Sequence, residues 1–154
     1  MPAVKSEMIE VCIFRFINNQ PEYLLLKRRE DEKVYPGIWQ YITGYIEDKE
    51  KAVEGAIREM REETGFQPVC FWIVPFVNSF YDAADDSLYL VPLFAAQVES
   101  GLSPHLSVEH TEYQWHSYRE AFRKLVWPGQ REGLRIVHEY IVCGEKPADL
   151  LKIQ

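Results

Sequence analysis

The sequence predicts an α/β fold in which a mixed sheet lies sandwiched between helices. Apolar runs rich in β-branched and aromatic residues indicate strands, and two or three helical patterns are interspersed among them. Apolar residues make up 47% of the 154 residues and aromatic residues 14%, which is enough for a substantial core. We therefore expect a single domain over residues 1–154.

The predicted elements follow one another without repeats or linkers. Strands are predicted at 8–17, 23–29, 38–43, 71–80, 88–98 and 112–115, and helices at 53–64, 117–125 and 130–142. Residues 18–21, Asn-Asn-Gln-Pro, predict the turn between the first two strands. Because proline lacks the amide N–H that a sheet ladder needs, Pro75 and Pro92 are expected to break their strands. Pro128 and Gly129 are expected to open the last helix.

The helix predicted at 53–64 has one apolar stripe. Val53, Ala56, Ile57 and Met60 follow one another at i, i+3, i+4 and i+7, so they lie on a single face at 3.6 residues per turn. This face is expected to pack on the sheet. Gly65 comes directly after the helix, where a left-handed C-cap is expected.

A second stripe of the same helix is made of carboxylates. Glu59, Glu62 and Glu63 fall at i, i+3 and i+4, where like charges repel one another. A divalent cation removes this repulsion, and Mg²⁺ or Mn²⁺ prefers such hard oxygen ligands. Because Mg²⁺ also takes phosphate oxygens, the stripe predicts a site for a metal-bound di- or triphosphate. The alternative is a plain acidic helix face in solvent.

Three neighbouring residues fit the same prediction. Arg58 stands four residues before Glu62 and is expected to hold that carboxylate in place. Gly44 lies in the turn before the helix, where its backbone carbonyl is expected to reach the metal. Gly55 lies one turn before Glu59, and either clears space for substrate or metal or allows a loop to pack closely over the helix.

The run from Gly44 to Phe66 fits one pattern without a gap. It reads Gly, five residues, Glu, seven residues, Arg-Glu, an aliphatic residue, any residue, Glu-Glu, any residue, Gly and an apolar residue. At ordinary residue usage a chance match is on the order of 10⁻⁷. The run resembles a complete Nudix box, the signature of hydrolases that cleave a nucleoside diphosphate linked to another group. The resemblance implies the Nudix α/β/α sandwich, with a mixed sheet and the box as a loop-helix-loop motif.

Motifs outside the box are similar to those of particular Nudix hydrolases. Residues 26–29, Leu-Lys-Arg-Arg, resemble a Leu-x-Arg-Arg strand whose second arginine often meets the substrate phosphates, which implies that role for Arg29. Residues 39–44, Trp-Gln-Tyr-Ile-Thr-Gly, are similar to the box entry of bacterial dihydroneopterin triphosphate pyrophosphohydrolases, whereas the commoner family form is Pro-Gly-Gly. Residues 109–115 resemble a Glu-His-x-x-Tyr-x-Trp stretch found there and in diadenosine tetraphosphate hydrolases.

These resemblances imply further site residues, each with a plainer alternative. Several Nudix enzymes place an additional Glu beside the metal or as general base, which implies that role for Glu109, with Glu112 as the second choice. Either residue is otherwise an exposed loop acid, and Arg29 is otherwise a surface cation. His110 is expected to be a satisfied loop histidine rather than a ligand. Aromatic side chains that suit stacking on a base or pterin, or else core packing, are Trp39, Phe80, Tyr81, Tyr113 and Trp115.

Charge and cysteine content bound the partners. The net charge of -7 and the lack of a basic stripe argue against nucleic acid and anionic membranes as main partners, but leave small nucleotide substrates open. No stretch approaches 18 apolar residues. Cys12, Cys70 and Cys143 have no paired spacing and lie in apolar contexts, so we expect buried, reduced thiols in a cytoplasmic protein. Many relatives dimerise, which leaves a homodimer open.

The sequence predicts metal-assisted hydrolysis of a phosphoric anhydride. Mg²⁺ or Mn²⁺ is the expected cofactor, and one of Glu59, Glu62, Glu63 and Glu109 is expected to deprotonate the attacking water. The leading substrate is dihydroneopterin triphosphate or a dNTP, with release of pyrophosphate. One alternative is cleavage of a dinucleoside polyphosphate. A second is a noncatalytic Nudix module that senses a nucleotide or a partner, although such a module need not keep the metal carboxylates.

Overall fold

The computed structural model describes residues 1–144 and 146–154. The strands in these ranges are β1 (Ala3–Lys5), β2 (Met8–Ile17), β3 (Gln20–Arg28), β4 (Trp39–Gln40), β5 (Ile42–Tyr45), β6 (Cys70–Asp82), β7 (Ser87–Gln97) and β8 (His110–His116). The helices are α1 (Ala52–Thr64), α2 (Tyr118–Lys124), α3 (Pro128–Ile136), a π-helical turn (Val137–Val142) and α4 (Lys146–Leu151).

The strands pair into one mixed sheet, eight-stranded within the described residues. Its long strands lie in the order β6, β7, β2, β3 and β8; β2 and β7 are parallel, and the other neighbours in this order are antiparallel. The pairing between β2 and β3 runs from Ile17 and Gln20, next to the turn, to Phe14 and Tyr23. Farther from the turn, the two strands take different partners. There β5 pairs with β2 and β4 pairs with β3. This arrangement sets Gly44 of β5 opposite Ile9 in the sheet.

Two apolar cores lie on opposite faces of the sheet. One joins the sheet to α1 and includes Ile9, Leu26 and Met60. The other joins the sheet to α2, α3 and the π-helical turn and includes Phe14 and Leu25. Strands β2, β3, β6 and β7 contribute side chains to both cores, because successive side chains alternate between the faces. The predicted α/β/α sandwich with a mixed sheet is confirmed, and α1 lies on its own layer.

The two predicted strand breaks are wrong. β6 continues past Pro75 and β7 continues past Pro92. The sheet accommodates Pro75 within a register shift between Ile73 and Val77. Pro92 lies between the part of β7 that pairs with β1 and the part that pairs with β2. Because neither of these two ladders includes Pro92, its missing N–H interrupts neither of them.

Other predictions differ in their bounds. The single strand predicted at 38–43 is two short strands, because β4 and β5 pair with different neighbours. The helix predicted at 130–142 is α3 followed by the π-helical turn, and Arg29 lies just beyond the end of β3. The sequence pattern does not indicate β1 or α4. Of the three free cysteines, Cys12 is buried as expected, whereas Cys70 is half-buried and Cys143 is exposed.

Among the helices of the described residues, none combines the length and the apolar character that a membrane crossing requires.

Candidate active site

The loop-helix-loop motif is shaped by glycines at its two ends. A side chain on Gly44 would overlap the Glu59 carboxyl group, so glycine leaves room for the Glu59 side chain in the position that it occupies. Gly65 ends the helix with φ 75°, and its N–H donates to the Arg61 carbonyl at 2.8 Å, so the predicted left-handed cap is confirmed. A Cβ on Gly55 would lie 2.7 Å from Glu50 Oε1, which supports the close-packing explanation for that glycine.

Arg58 fastens the loop before α1 to the helix. Its Nε and Nη2 groups donate to the two oxygens of Glu50 at 2.8 and 2.9 Å, and Nη2 also donates to the Tyr45 carbonyl at 2.8 Å. Its Nη1 donates to Glu59 at 2.9 Å and to Glu62 at 3.1 Å, as expected for Glu62. The Arg58 hydrogen bonds lower the pKa of Glu50 to about 2. These contacts are those of a positioning residue.

The three predicted carboxylates of α1 occupy different environments. Glu62 is 55% exposed and turns toward Arg58, whereas the Glu59 side chain is 13% exposed and lies beside Gly44. Glu63 is 4% exposed and turns toward the loop before β8. Burial, together with the charges of Glu62 and Glu63, raises the pKa of Glu59 against the opposing effect of Arg58. The predicted stripe therefore divides into one outward and two inward groups.

Glu63 is bound by two side chains from the loop before β8 and the start of that strand. Ser107 Oγ donates to Glu63 Oε2 at 2.8 Å, and His110 Nδ1 lies 2.9 Å from the same oxygen. Gln40 Nε2 lies 3.3 Å from the other ring nitrogen of His110. Burial alone would raise the pKa of Glu63, but the hydrogen bonds from His110 and Ser107 outweigh it and hold that pKa below its ordinary value.

Glu109 joins this group from outside the helix. Potential ligand atoms of Glu63, Glu109 and His110 lie within 4.8 Å of one another. Partial burial and the charge of Glu63 raise the pKa of Glu109. The arrangement thus concentrates negative charge on oxygen ligands at one end of α1. Such a pair of carboxylates fits a hard divalent cation such as Mg²⁺ or Mn²⁺.

The two arginines at the end of β3 have different surroundings. Arg29, the predicted phosphate contact, donates from Nε to Asp31 at 2.9 Å and from Nη1 to the Val108 carbonyl at 3.4 Å. Arg28 is the cross-strand partner of His110, and its Nε is buried without a hydrogen-bond partner in the described structure. Arg28 Nη2 also lies 3.5 Å from Glu32 Oε2, so Arg28 is opposite His110 in the sheet with one N–H free, a feature that sequence reasoning missed.

The predicted aromatic contacts are spread over the molecule. Trp39 is half-buried on the α2 side, with Lys124 Nζ 4.7 Å from its ring centroid. Tyr113 is partly exposed in β8 opposite Leu26. Tyr81 lies at the tip of the β6–β7 hairpin and donates to Asp86 at 2.9 Å. Tyr81 pairs with Leu88 of β7, which lies roughly 17 Å along that strand from Leu93, where β7 begins to pair with β2. The structure does not bring Tyr81 to the carboxylates.

Sequence reasoning also missed Ser107 and Gln40 and gave His110 no role. Ser107 is separated from Glu63 by 44 residues, and no local pattern marks a single loop serine as its partner. The Glu-His pair at 109–110 is the one available signal, since it puts an imidazole next to a predicted metal ligand.

Known proteins resemble this chain in sequence and in fold. Nucleoside triphosphatase NudI of Klebsiella pneumoniae (strain 342) is 29% identical over 106 residues, which cover 64% of this chain and 75% of that protein. A C. elegans Ap4A hydrolase structure superposes with a TM-score of 0.74 at 20% identity, covering 90% of this chain and 99% of the other. The structure of the E. coli dihydroneopterin triphosphate pyrophosphohydrolase superposes with a TM-score of 0.73 at 20% identity, covering 93% of this chain and 99% of the other.

At these identities the two structural similarities establish the fold alone. The family follows from the sequence, because the NUDIX domain pattern matches residues 7–136 and so takes in β2, β3, the whole of α1 and the loop that carries Glu109. The chain therefore belongs to the Nudix family of hydrolases.

Proposed function

We propose that this protein hydrolyses the α–β phosphoric anhydride of a nucleoside-triphosphate-like substrate, a dNTP or dihydroneopterin triphosphate, and releases pyrophosphate and a monophosphate. The proximity of Glu63 and Glu109 at the end of α1, where their ligand atoms lie within 4.8 Å of each other, carries the proposal. The relationship to a nucleoside triphosphatase from K. pneumoniae supports the substrate class. The motifs at residues 39–44 and 109–115 support the pteridine alternative within it.

The side chains divide the work of this reaction. The cation, Mg²⁺ or Mn²⁺, would be held by carboxylates among Glu59, Glu62, Glu63 and Glu109, with the Gly44 carbonyl as the predicted backbone ligand. A bound cation supplies neutralisation of the phosphate oxygens and lowers the pKa of a coordinated water. A water oxygen forms a bond to one phosphorus of the α–β bridge, and the bridging oxygen leaves with the other phosphate. Because phosphoryl transfer depends chiefly on positioning and charge, the residues that fix these carboxylates also contribute to the rate.

The general base is proposed from the surroundings of each carboxylate. Glu62 is paired with Arg58, and Glu63 accepts two hydrogen bonds at one oxygen, and both contacts favour the charged form and weaken a base. The pKa values of Glu59 and Glu109 are raised instead. The carboxylate among Glu59, Glu62 and Glu109 that the cation leaves uncoordinated is proposed to take the proton from water.

The substrate phosphates are proposed to meet the arginines at the end of β3. Arg28 offers an unpartnered N–H beside His110, and Arg29 keeps its predicted role from its position beside Val108. Trp39 and Tyr113 are proposed to contact the base or pterin. The sequence predicts the same contact for Tyr81, but its hydroxyl donates a hydrogen bond to Asp86 at the tip of the hairpin, which gives that role no support.

Asymmetric cleavage of a dinucleoside polyphosphate is the second candidate. The Glu-His-x-x-Tyr-x-Trp stretch at residues 109–115 favours it, because diadenosine tetraphosphate hydrolases share this motif. The noncatalytic sensor has less support, since Arg58, Ser107 and His110 hold carboxylates in place that a sensor would not need.

Product analysis with purified protein and Mg²⁺ tests the proposal. The panel is dihydroneopterin triphosphate, the four dNTPs, diadenosine tetraphosphate, ADP-ribose and NADH, with Glu63→Gln protein as the matched control. Pyrophosphate from a triphosphate, absent in the control, is the expected result and identifies the base. Release of ATP and AMP from diadenosine tetraphosphate alone would select the second candidate. Tight binding of a triphosphate without turnover would overturn both.

A further inference from the structure

We propose that His110 is a positioning residue for Glu63: held by Gln40 and acting with Ser107, it fixes one oxygen of the Glu63 carboxylate so that the other is presented to a divalent cation. The inference rests on the proposed function, because it assigns Glu63 to the metal. It goes beyond that function by giving a role to three side chains outside the Nudix box.

The hydrogen bonds form an ordered chain. Gln40 Nε2 lies 3.3 Å from His110 Nε2, and His110 Nδ1 lies 2.9 Å from Glu63 Oε2. One tautomer of a neutral imidazole satisfies both contacts: Nδ1–H donates to the carboxylate, and Nε2 accepts from the Gln40 amide. Gln40 thus selects the tautomer that can bind Glu63.

Burial makes this chain different from a surface ion pair. Gln40, Glu63 and His110 are all buried, and they come from β4, α1 and β8, which are distant in sequence. Surface pairs between flexible side chains fix little, because water competes for both groups. Here water is largely excluded and each partner is anchored to a different element of the sandwich. The orientation of the Glu63 carboxylate is therefore set by the packed structure.

Both donors bind the same carboxylate oxygen. Ser107 Oγ and His110 Nδ1 contact Oε2 of Glu63, and neither contact engages Oε1. Ser107 Oγ also accepts from the backbone N–H of Glu109 at 3.3 Å, so the same hydroxyl ties the Glu109 loop to Glu63. The pair of donors therefore orients one predicted metal ligand and places the second beside it.

Direct binding of the metal by His110 is the alternative role, because ligand atoms of His110, Glu63 and Glu109 lie within 4.8 Å of one another. The contacts argue against that role. Nδ1 faces Glu63 and Nε2 faces Gln40, so both ring nitrogens have partners. A hydrogen-bonded support that orients a carboxylate ligand uses the ring without any metal contact.

The test measures Mn²⁺ binding to the full-length protein without substrate, by electron paramagnetic resonance, alongside kcat and KM with Mg²⁺. His110→Leu removes both ring nitrogens, whereas His110→Asn keeps an N–H donor close to the position of Nδ1. We expect His110→Leu to weaken Mn²⁺ binding by roughly 10- to 100-fold and to lower kcat with little change in KM. His110→Asn is expected to restore most of both losses.

Two controls separate this effect from misfolding. His116→Leu removes another histidine that contacts a glutamate, Glu120 at 3.1 Å, on the surface of α2, and is expected to leave Mn²⁺ affinity unchanged. Thermal unfolding in EDTA reports the stability of each variant without metal. A His110→Leu protein that unfolds like the wild type yet binds Mn²⁺ poorly supports the positioning role.

Two results would overturn the inference. One is Mn²⁺ affinity and kcat within about twofold of wild type in folded His110→Leu protein, because losing a hydrogen bond that orients a metal ligand ordinarily costs far more than that. The other is equal loss of Mn²⁺ binding in His110→Asn and His110→Leu, which indicates direct ligation or general packing. Because Mn²⁺ binding needs no substrate, failure of the proposed substrate class leaves this test intact.

Discussion

Arg58 binds the Glu50 carboxylate through two N–H groups, Nε to Oε2 at 2.8 Å and Nη2 to Oε1 at 2.9 Å. This fork joins the loop that follows Gly44 to the first half of α1, and the same guanidinium reaches Glu59 and Glu62. The geometry of Glu50, Glu59 and Glu62 therefore depends on one arginine that contacts all three carboxylates.

Replacing Arg58 with lysine is expected to lower turnover by at least about tenfold and the free energy of unfolding by about 1–3 kcal/mol. Lysine keeps the charge but cannot supply the planar fork that binds Glu50 and the other partners together. Steady-state kinetics and urea unfolding measure the two effects. Arg135→Lys is the matched control, because Arg135 binds Glu132 and Glu139 on the surface, and its turnover should match the wild type.

Glu63→Gln is expected to lower kcat more than Glu62→Gln. The buried Glu63 carboxylate belongs to the inward group, and its loss should reduce turnover by roughly 10²–10⁴-fold, whereas the exposed Glu62 is paired with Arg58 and should lose less. Kinetics at saturating Mg²⁺ and Mn²⁺ provide the comparison. The assignment of Glu63 fails if the folded Glu63→Gln protein retains near-normal turnover.

Arg28→Ala is expected to raise KM for a triphosphate more than Arg29→Ala does. Arg28 lies beside His110 with a buried, unpartnered Nε, while Arg29 is 45% exposed and bound to Asp31. Arg28 keeps Nε free beside a single 3.5 Å contact of Nη2 with Glu32, whereas Arg29 must open two hydrogen bonds to Asp31 before it binds a phosphate. The two variants are controls for each other, and a larger KM effect at Arg29 would restore the sequence-based assignment.

Glu10→Gln is expected to flatten the pH dependence of stability above about pH 4.5, the ordinary value for glutamate. Burial raises the pKa of Glu10 in the folded protein, against opposing hydrogen bonds from Asn78 and Gln130. The folded state therefore holds its proton more tightly, so the stability from this group is complete below the unfolded pKa. It is lost as pH rises through the folded pKa.

Urea unfolding midpoints between pH 4 and pH 9 measure this effect. The wild type should lose stability across the window, and Glu10→Gln should lose less. Glu7→Gln, an exposed change three residues earlier, is the control and should follow the wild type. If the slopes for Glu10→Gln and wild type coincide, the raised pKa is not the source of the pH dependence.

Local pattern was sufficient for much of the architecture. The apolar stripe from Val53 to Met60 predicted the face that α1 packs on the sheet, and Ala56 and Met60 are buried there. The glycine at 65 predicted the helix end because a left-handed residue at that point favours glycine. Pro75 and Pro92 misled the strand prediction because the cost of a missing N–H depends on which neighbour lies opposite, and single-strand patterns do not contain that information.

By itself, the sequence determined the reaction class, the helix that carries the carboxylates and the arginine that binds Glu62, because these features depend on spacing within one helix. Only the tertiary structure decided that Glu63 turns inward to Ser107 and His110 while Glu62 turns outward. It also placed Arg28 beside His110 and kept Tyr81 away from the carboxylates. The physical reason is that these relationships join residues from separate strands and loops, whose distances are fixed by sheet pairing and packing rather than by helical periodicity.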